Sequence, residues 1–500
     1  MLRRAGVLLL VALGAAMTWP VAGVAHREGK RDRPRHVLLI SVDGLHASDL
    51  ASYVGAHPDS TLARLTDRGT TYRKAQAPVI TDSFPGLLAL VAGGTPRSTG
   101  VYYDNSYDRT LYAPGSNCTG PAGTNVVYDE SIDVHPDQVN SGGIDPSKLP
   151  LAKTGGGCVP VYPHSFLRVN TIFNVAHDAG LPTAWSDKHP AYDLVNGPAG
   201  NGVDDLYTPE IGTTITGSVA ATEQYDALKV HAVVNQIHGR DSSDSHDAPV
   251  PAIFGMNFQT VSVAQKLPFN GSSDVGGYQP GGKAFTPQLA GALDFVDAQL
   301  GRYVAALANR HLLGSTEIIV TAKHGQSPID PGRHARVDEG VVPGILTAHG
   351  IGVAQATQDD TALLWLADQS QAGDAANALR ADRAGANTGH IRQVISGQRL
   401  TDLFGNPLTD PRVPDVLVEP QDGVVYSLSK KKVAEHGGAA NDDRHVALLV
   451  VRPGGEDGGS NGDSVSTTSV APTILQFLGL RGGALQAVQA EGTRPLPAER

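Results

Sequence analysis

The chain has 500 residues, 40% hydrophobic and 18% charged, enough to bury a large core. Lys+Arg 39 against Asp+Glu 50 leaves a formal net charge of −11, and no basic stripe with interleaved aromatics is present, which argues against a nucleic-acid surface. Gly 58 and Pro 33 are spread between apolar runs without an internal repeat, the mark of a loop-rich globular protein rather than a fibrous or disordered one.

Arg3 and Arg4 precede an apolar run from Ala5 to Ala25 that closes on the small residues Ala22, Gly23, Val24 and Ala25. This predicts a signal peptide over residues 1–25, with an uncleaved N-terminal anchor as the alternative. No later run approaches the ~20 apolar residues of a membrane span. The mature protein is therefore expected outside the cytoplasm, secreted or periplasmic. From His36 the chain alternates short β-rich runs with helical patterns, which predicts an α/β sheet with crossover helices. Strands are expected at His36–Val42, Ala252–Phe258, Glu317–Ala322, Thr361–Ala367, Val413–Val418 and Val446–Val451. Helices are expected at Ser60–Arg68, Phe84–Val91, Ser165–Ala179, Pro287–Ala308 and Ser469–Leu478.

Two stretches break that rhythm. Residues 111–162 are rich in Gly, Asn and Pro and carry the two cysteines, Cys118 and Cys158. In an exported chain an even pair forms a disulfide, whereas a thiol nucleophile or metal site lacks a His or further Cys at ligand spacing. Residues 336–412 read as a second insertion, placed to cap a site on the sheet edge. The core then comprises 26–110, 163–335 and 413–485, followed by a loose polar tail at 486–500.

Four motifs place polar groups at strand edges or helix starts. The strand from His36 ends in Asp43-Gly44, at the edge where open α/β sheets bind ligands, although Asp-Gly also reads as a plain turn. Ser83-Phe84-Pro85 opens a helix. Ser83 reads either as an N-cap or as a hydroxyl whose alkoxide, and a phosphate beside it, the helix N-terminus favours. The strand from Glu317 ends in Lys323-His324-Gly325. The fourth motif, Glu435-His436-Gly437, precedes the last strand.

In this order the residues resemble the alkaline phosphatase superfamily, and in particular its type I phosphodiesterase/nucleotide pyrophosphatase branch, from about His36 to Leu480. The resemblance implies a three-layer α/β/α sandwich with a mostly parallel sheet and capping insertions. It implies Asp43, Ser83, His324 and His436 as metal ligands, Ser83 as covalent nucleophile, and Asn105 in Asn105-Ser106-Tyr107-Asp108 as a phosphate contact. The chain departs from the family pattern in two places. Lys323 stands where Asp is usual, and Asn257 to Lys266 lacks the usual Asp and His. Lys323, and also Lys266, thus become candidates to supply charge in place of a second metal, leaving one divalent ion, which the donor set suits to zinc, with manganese or iron as alternatives. Lys188 and His189 resemble the anion-binding Lys and His of related sulfatases and Asp187 is a candidate to replace a lost metal ligand, while a polar loop without a site role is the alternative. Leu87 departs from the Arg that a formylglycine sulfatase needs.

The expected function is hydrolysis of a small-molecule phosphate ester, a phosphodiester or pyrophosphate. The competing readings are an inactive phosphate- or glycan-binding protein on the same fold, and a phosphomonoesterase or phosphonate hydrolase.

Overall fold

The computed structural model describes residues 35–455 and 458–498. The leader expected at residues 1–25 lies outside them. The main sheet has eight strands: β1 (His36–Val42), β2 (Thr70–Gln76), β3 (Ala184–Ser186), β4 (Asp205–Tyr207), β5 (Ile253–Phe258), β6 (Thr316–Thr321), β7 (Leu448–Val451) and β8 (Gly459–Ser466). Their order is β8-β2-β7-β6-β1-β5-β3-β4. β1 pairs in parallel with β6 on one side and β5 on the other. Among the strands of this sheet β7 alone runs antiparallel to its neighbours, β6 and β2.

Every residue of β1, β5 and β6 is buried, as continuous apolar runs covered on both faces require. Alternate side chains feed opposite layers. Val37, Leu39 and Ile319 join helices Ser83–Ala92 and Val470–Phe477 on one face, whereas Leu38, Ile40 and Val320 join helices Val219–His238 and Pro287–Asn309 on the other. The fold is a three-layer α/β/α sandwich with a mostly parallel sheet.

Several expected elements are displaced. Thr361–Ala367 and Val413–Val418 correspond to Ala362–Leu366 and Val416–Pro420, which belong to a separate antiparallel sheet with Val353–Gln358 and Ile391–Ile395. Val416–Pro420, assigned to the core from sequence, is a central strand of that second sheet. Ser165–Ala179 is two helices, Pro163–Phe166 and Ile172–Asp178, because Thr171 and Asn174 form a capping box that starts the second one afresh. The tail expected to be loose from 486 carries helix Gln486–Glu491, with Ala487 fully buried. The two cysteines, Cys118 and Cys158, are disulfide-bonded.

The longest element missed is helix Val219–His238. Its apolar stripe is interrupted by a buried ion pair, Asp226 with Lys229 at 3.0 Å. That pair has a positioning role. Lys229 Nζ donates to the Asn257 carbonyl at 2.6 Å, and Asp226 Oδ2 accepts from the backbone N–H groups of Gln259 and Thr260 at 2.9 Å each. The end of β5 and the first turn of helix Thr260–Lys266 are thereby clamped.

Glu317, near the start of β6, is fully buried and accepts from Arg452 Nε at 3.2 Å. Burial pushes its carboxyl up to about 7 against the pull of Arg452. A carboxyl raised in the folded state costs stability as pH climbs from its unfolded value through its folded one. Glu317→Gln is therefore expected to raise the melting temperature at about pH 8 and to lose that advantage near about pH 4, read by thermal unfolding across pH.

Candidate active site

The C-terminal edge of β1, β5 and β6 collects the site. β1 runs into Asp43, 1% exposed, and the chain turns at Gly44, whose φ of +82° and contact with the Gln265 side chain leave no room for a Cβ. Helix Ser83–Ala92 is capped by Asp82, whose carboxylate accepts the Phe84 N–H at 2.9 Å, so Ser83 is the first helical residue rather than the cap. The helix lies so close to the turn after β6 that a Cβ on Gly86 would strike the Lys323 carbonyl. That contact sets Ser83 beside His324.

Ser83 Oγ lies 3.1 Å from His324 Nε2, 3.2 Å from Lys188 Nζ and 3.5 Å from Asp43 Oδ2. His324 Nδ1 faces the Gly325 carbonyl at 2.8 Å. Nδ1–H donates there, which leaves the Nε2 lone pair directed at the serine. Lys188 Nζ also approaches Asp43 Oδ2 at 3.5 Å and donates to Gln259 Oε1 at 3.1 Å, while the Gln259 amide donates to Asp43 Oδ2 at 2.6 Å. Behind them Lys323, fully buried, donates to Asp187 Oδ1 at 2.9 Å and lies over the Tyr192 ring at 4.2 Å. Asp187 also accepts from the Lys188 backbone N–H and from Trp185 Nε1.

Burial alone would raise the Asp43 carboxyl, but Lys323, His324, Lys188 and the Gln259 amide outweigh it and hold Asp43 well below the carboxylate range. Burial lowers His324 to about 4, so its imidazole is neutral. It also lowers the Lys323 ammonium against the pull of Asp187, while Asp43 and Asp187 overcome burial at Lys188 and raise it.

A polar cavity of about 190 Å³ opens onto Ser83, and Asp82, Tyr103, Asp104, Lys188 and His189 are among its walls. Sequence reasoning named Ser83, Asp43, His324, His436, Lys188 and His189, and the fold gathers all six around this cavity or against it. His189 Nδ1 is bonded to Glu210 at 2.7 Å. Asn105 is not brought in: it lies on strand Asn105–Asp108, where its side chain faces Gln355, and its neighbour Asp104 lines the cavity instead. Lys323 sits behind the wall and acts on Asp43 through its charge, whereas Lys266 lines the cavity and pairs with Glu435 at 2.7 Å. Asp187, a candidate replacement for a lost metal ligand, is instead held by Lys323 at 2.9 Å, and Gln259 and Tyr192 were not assigned site roles. Gln259 was legible as the first polar residue after β5, but its type carries no catalytic signal.

The sequence profile of the type I phosphodiesterase/nucleotide pyrophosphatase family matches residues 37–138 and 274–443, more than half of the chain. The chain belongs to that family. It is thus a hydrolase acting on phosphoric esters. No curated protein matches it in sequence. Among solved structures, murine ectonucleotide pyrophosphatase/phosphodiesterase 5, as an inactive variant in complex with AMP, aligns with TM-score 0.58 at 12% identity over 90% of this chain and 96% of that one. The human counterpart gives 0.56 at 13% over 89% and 95%. A variant of alkaline phosphatase PafA gives 0.60 at 12% over 93% and 98%. These likenesses concern the fold.

Members of the superfamily are metal-dependent, and the residues here do not fit the expected ion. The Lys188 ammonium holds the space beside both Ser83 and Asp43. The His436 ring packs on the His324 ring, with centroids 3.8 Å apart and planes at 32°. Among the described residues no group of three or more His, Cys, Asp or Glu is arranged to hold a metal. Elemental analysis of protein incubated with zinc and then dialysed is expected to find far less than one ion per chain. A retained ion that Asp43→Ala or His324→Ala releases would restore the metal centre.

Proposed function

We propose that the protein is an exported hydrolase that cleaves phosphodiester or pyrophosphate bonds through Ser83 as covalent nucleophile. The observation that carries this reading is the Ser83 hydroxyl, at the start of a buried helix, between a neutral imidazole at 3.1 Å and an ammonium at 3.2 Å. AMP bound to the murine relative supports a nucleotide-sized ester. The predicted leader and the disulfide support export.

Ser83 Oγ attacks phosphorus in line, and its proton passes to His324 Nε2. The leaving oxygen departs on the opposite side and is protonated from solvent. Water then enters from that side and cleaves the Ser83–phosphorus ester, while His324 returns the proton to Ser83 Oγ. Lys188 and the helix N-terminus stabilise negative charge on the transferring oxygens. Asp104 takes the place assigned to Asn105. Burial first, then the nearby Asp82, Asp129 and Asp359, raise its carboxyl well above the ordinary range, so it meets the phosphate as an O–H donor.

The unfit metal site favours a second reading, an anion-binding protein without turnover. Hydrolysis of bis-p-nitrophenyl phosphate separates the two. Wild type is expected to turn it over, Ser83→Ala to lose all turnover, and His324→Ala to fall by about 10²–10⁴-fold. Intact mass after a rapid acid quench is expected to show a p-nitrophenylphosphoryl adduct on the wild type that Ser83→Ala does not form. Tight phosphate binding without turnover or adduct in wild type would establish the second reading. Separately, Asp104→Asn, which keeps a donor, is expected to stay within about tenfold of wild type while Asp104→Ala loses about 10²-fold.

A further inference from the structure

Beside the small cavity lies a much larger one, about 920 Å³, and Lys188, His189, Lys266 and Lys432 border both. In a chain of net charge −11, the larger cavity counts four lysines (the fourth is Lys431) and no Asp or Glu among the described residues of its wall. Glu435 stands just outside, on the small cavity. It is a single carboxylate shared by Lys266 at 2.7 Å and Lys432 at 2.6 Å, so the pair keeps a net positive charge. Lys431 is exposed, at the mouth. The N-cap Ser218 and the first helical residues Val219 and Ala220 of the 20-residue helix Val219–His238 also line the cleft, and the positive end of that helix adds to the same field. The remaining wall is mixed: Ile211, Val263, Leu267 and Pro268 give it an apolar side, and Thr213, Thr216, Ser262 and Gln288 are among its neutral polar groups.

The small cavity, onto which Ser83 opens, has room for a phosphoryl group, and the larger one receives what leaves it. Building on the phosphoester-hydrolase reading, we propose that the larger cleft selects substrates whose leaving group has an apolar organic body and carries its own anionic group, a phosphate or a carboxylate. Lys266 and Lys431 are the specificity-determining residues. A neutral alcohol of the same size packs on the apolar side of the wall and leaves the lysines unanswered. An anionic one meets both, and electrostatic focusing in a walled cleft raises its capture rate.

The test uses two diesters that differ only in the leaving group, phenyl 4-nitrophenyl phosphate and phenyl 3-carboxy-4-nitrophenyl phosphate. After correction for their uncatalysed rates, wild type is expected to favour the carboxylated ester about tenfold in kcat/KM, less so at high salt. Lys431→Glu and Lys266→Ala are expected to bring that ratio towards one. Lys153→Glu, an exposed lysine on the hairpin strand Leu151–Thr154, leaves it unchanged. A binding arm needs no turnover: Ser83→Ala is titrated calorimetrically with ADP and with AMP. ADP is expected to bind about tenfold tighter, and the added Lys431→Glu to erase the difference. No preference in wild type, or a preference that both lysine variants retain, overturns the proposal. A binding preference without turnover in wild type leaves the cleft standing and removes the nucleophile reading instead.

Discussion

Everything at this site depends on holding the Asp43 carboxylate charged in a place without water. The residue ends a fully buried strand, and burial of an ion there is prohibitive unless opposite charge is built around it. Two lysines from different parts of the chain supply that charge, and the neutral Gln259 amide adds a hydrogen bond to the carboxylate. Asp43 in turn keeps Lys188 protonated and in reach of Ser83. The nucleophile, its neutral imidazole neighbour and the ammonium are thus one electrostatic assembly.

The rest of the architecture serves to aim it. Parallel strands bring Asp43, Gln259 and His324 to one edge from three separated stretches of sequence. The helix that starts at Ser83 reaches His324 because Gly86 lets backbone approach backbone. The buried Asp226–Lys229 pair, remote from the cavity, fixes the strand end from which Gln259 projects. These supports are polar groups in the interior, each satisfied by a partner on another element, which is how a packed core specifies a single arrangement.

The sequence was most legible where apolar runs end in chemistry. β1 has the expected bounds, and Asp43, Ser83 and His324 meet as their motifs suggested. Legibility fell where one element borrows from another. Val416–Pro420 has the pattern of a core strand but pairs in the second sheet, because pairing partners are not written in a strand's own residues. Helix Val219–His238 was hidden by a charged pair that its tertiary setting makes internal. Asn105 was named through the resemblance of Asn105-Ser106-Tyr107-Asp108 to a family motif, and a motif does not say which of two adjacent residues the local strand turns toward the cavity, which is Asp104.

The Lys323–Asp187 pair has a further consequence. Each residue is fully buried, and each answers the other's charge. Replacing either alone would strand an ion in the core, a loss of about 3–5 kcal/mol, comparable to the whole margin by which a domain stays folded. The two positions, 136 residues apart, can therefore change by single steps only through a destabilised ancestor or through neutral residues at both. The pairing predicts that a relative carrying lysine at 323 also carries aspartate at 187, which a comparison of relatives' sequences checks.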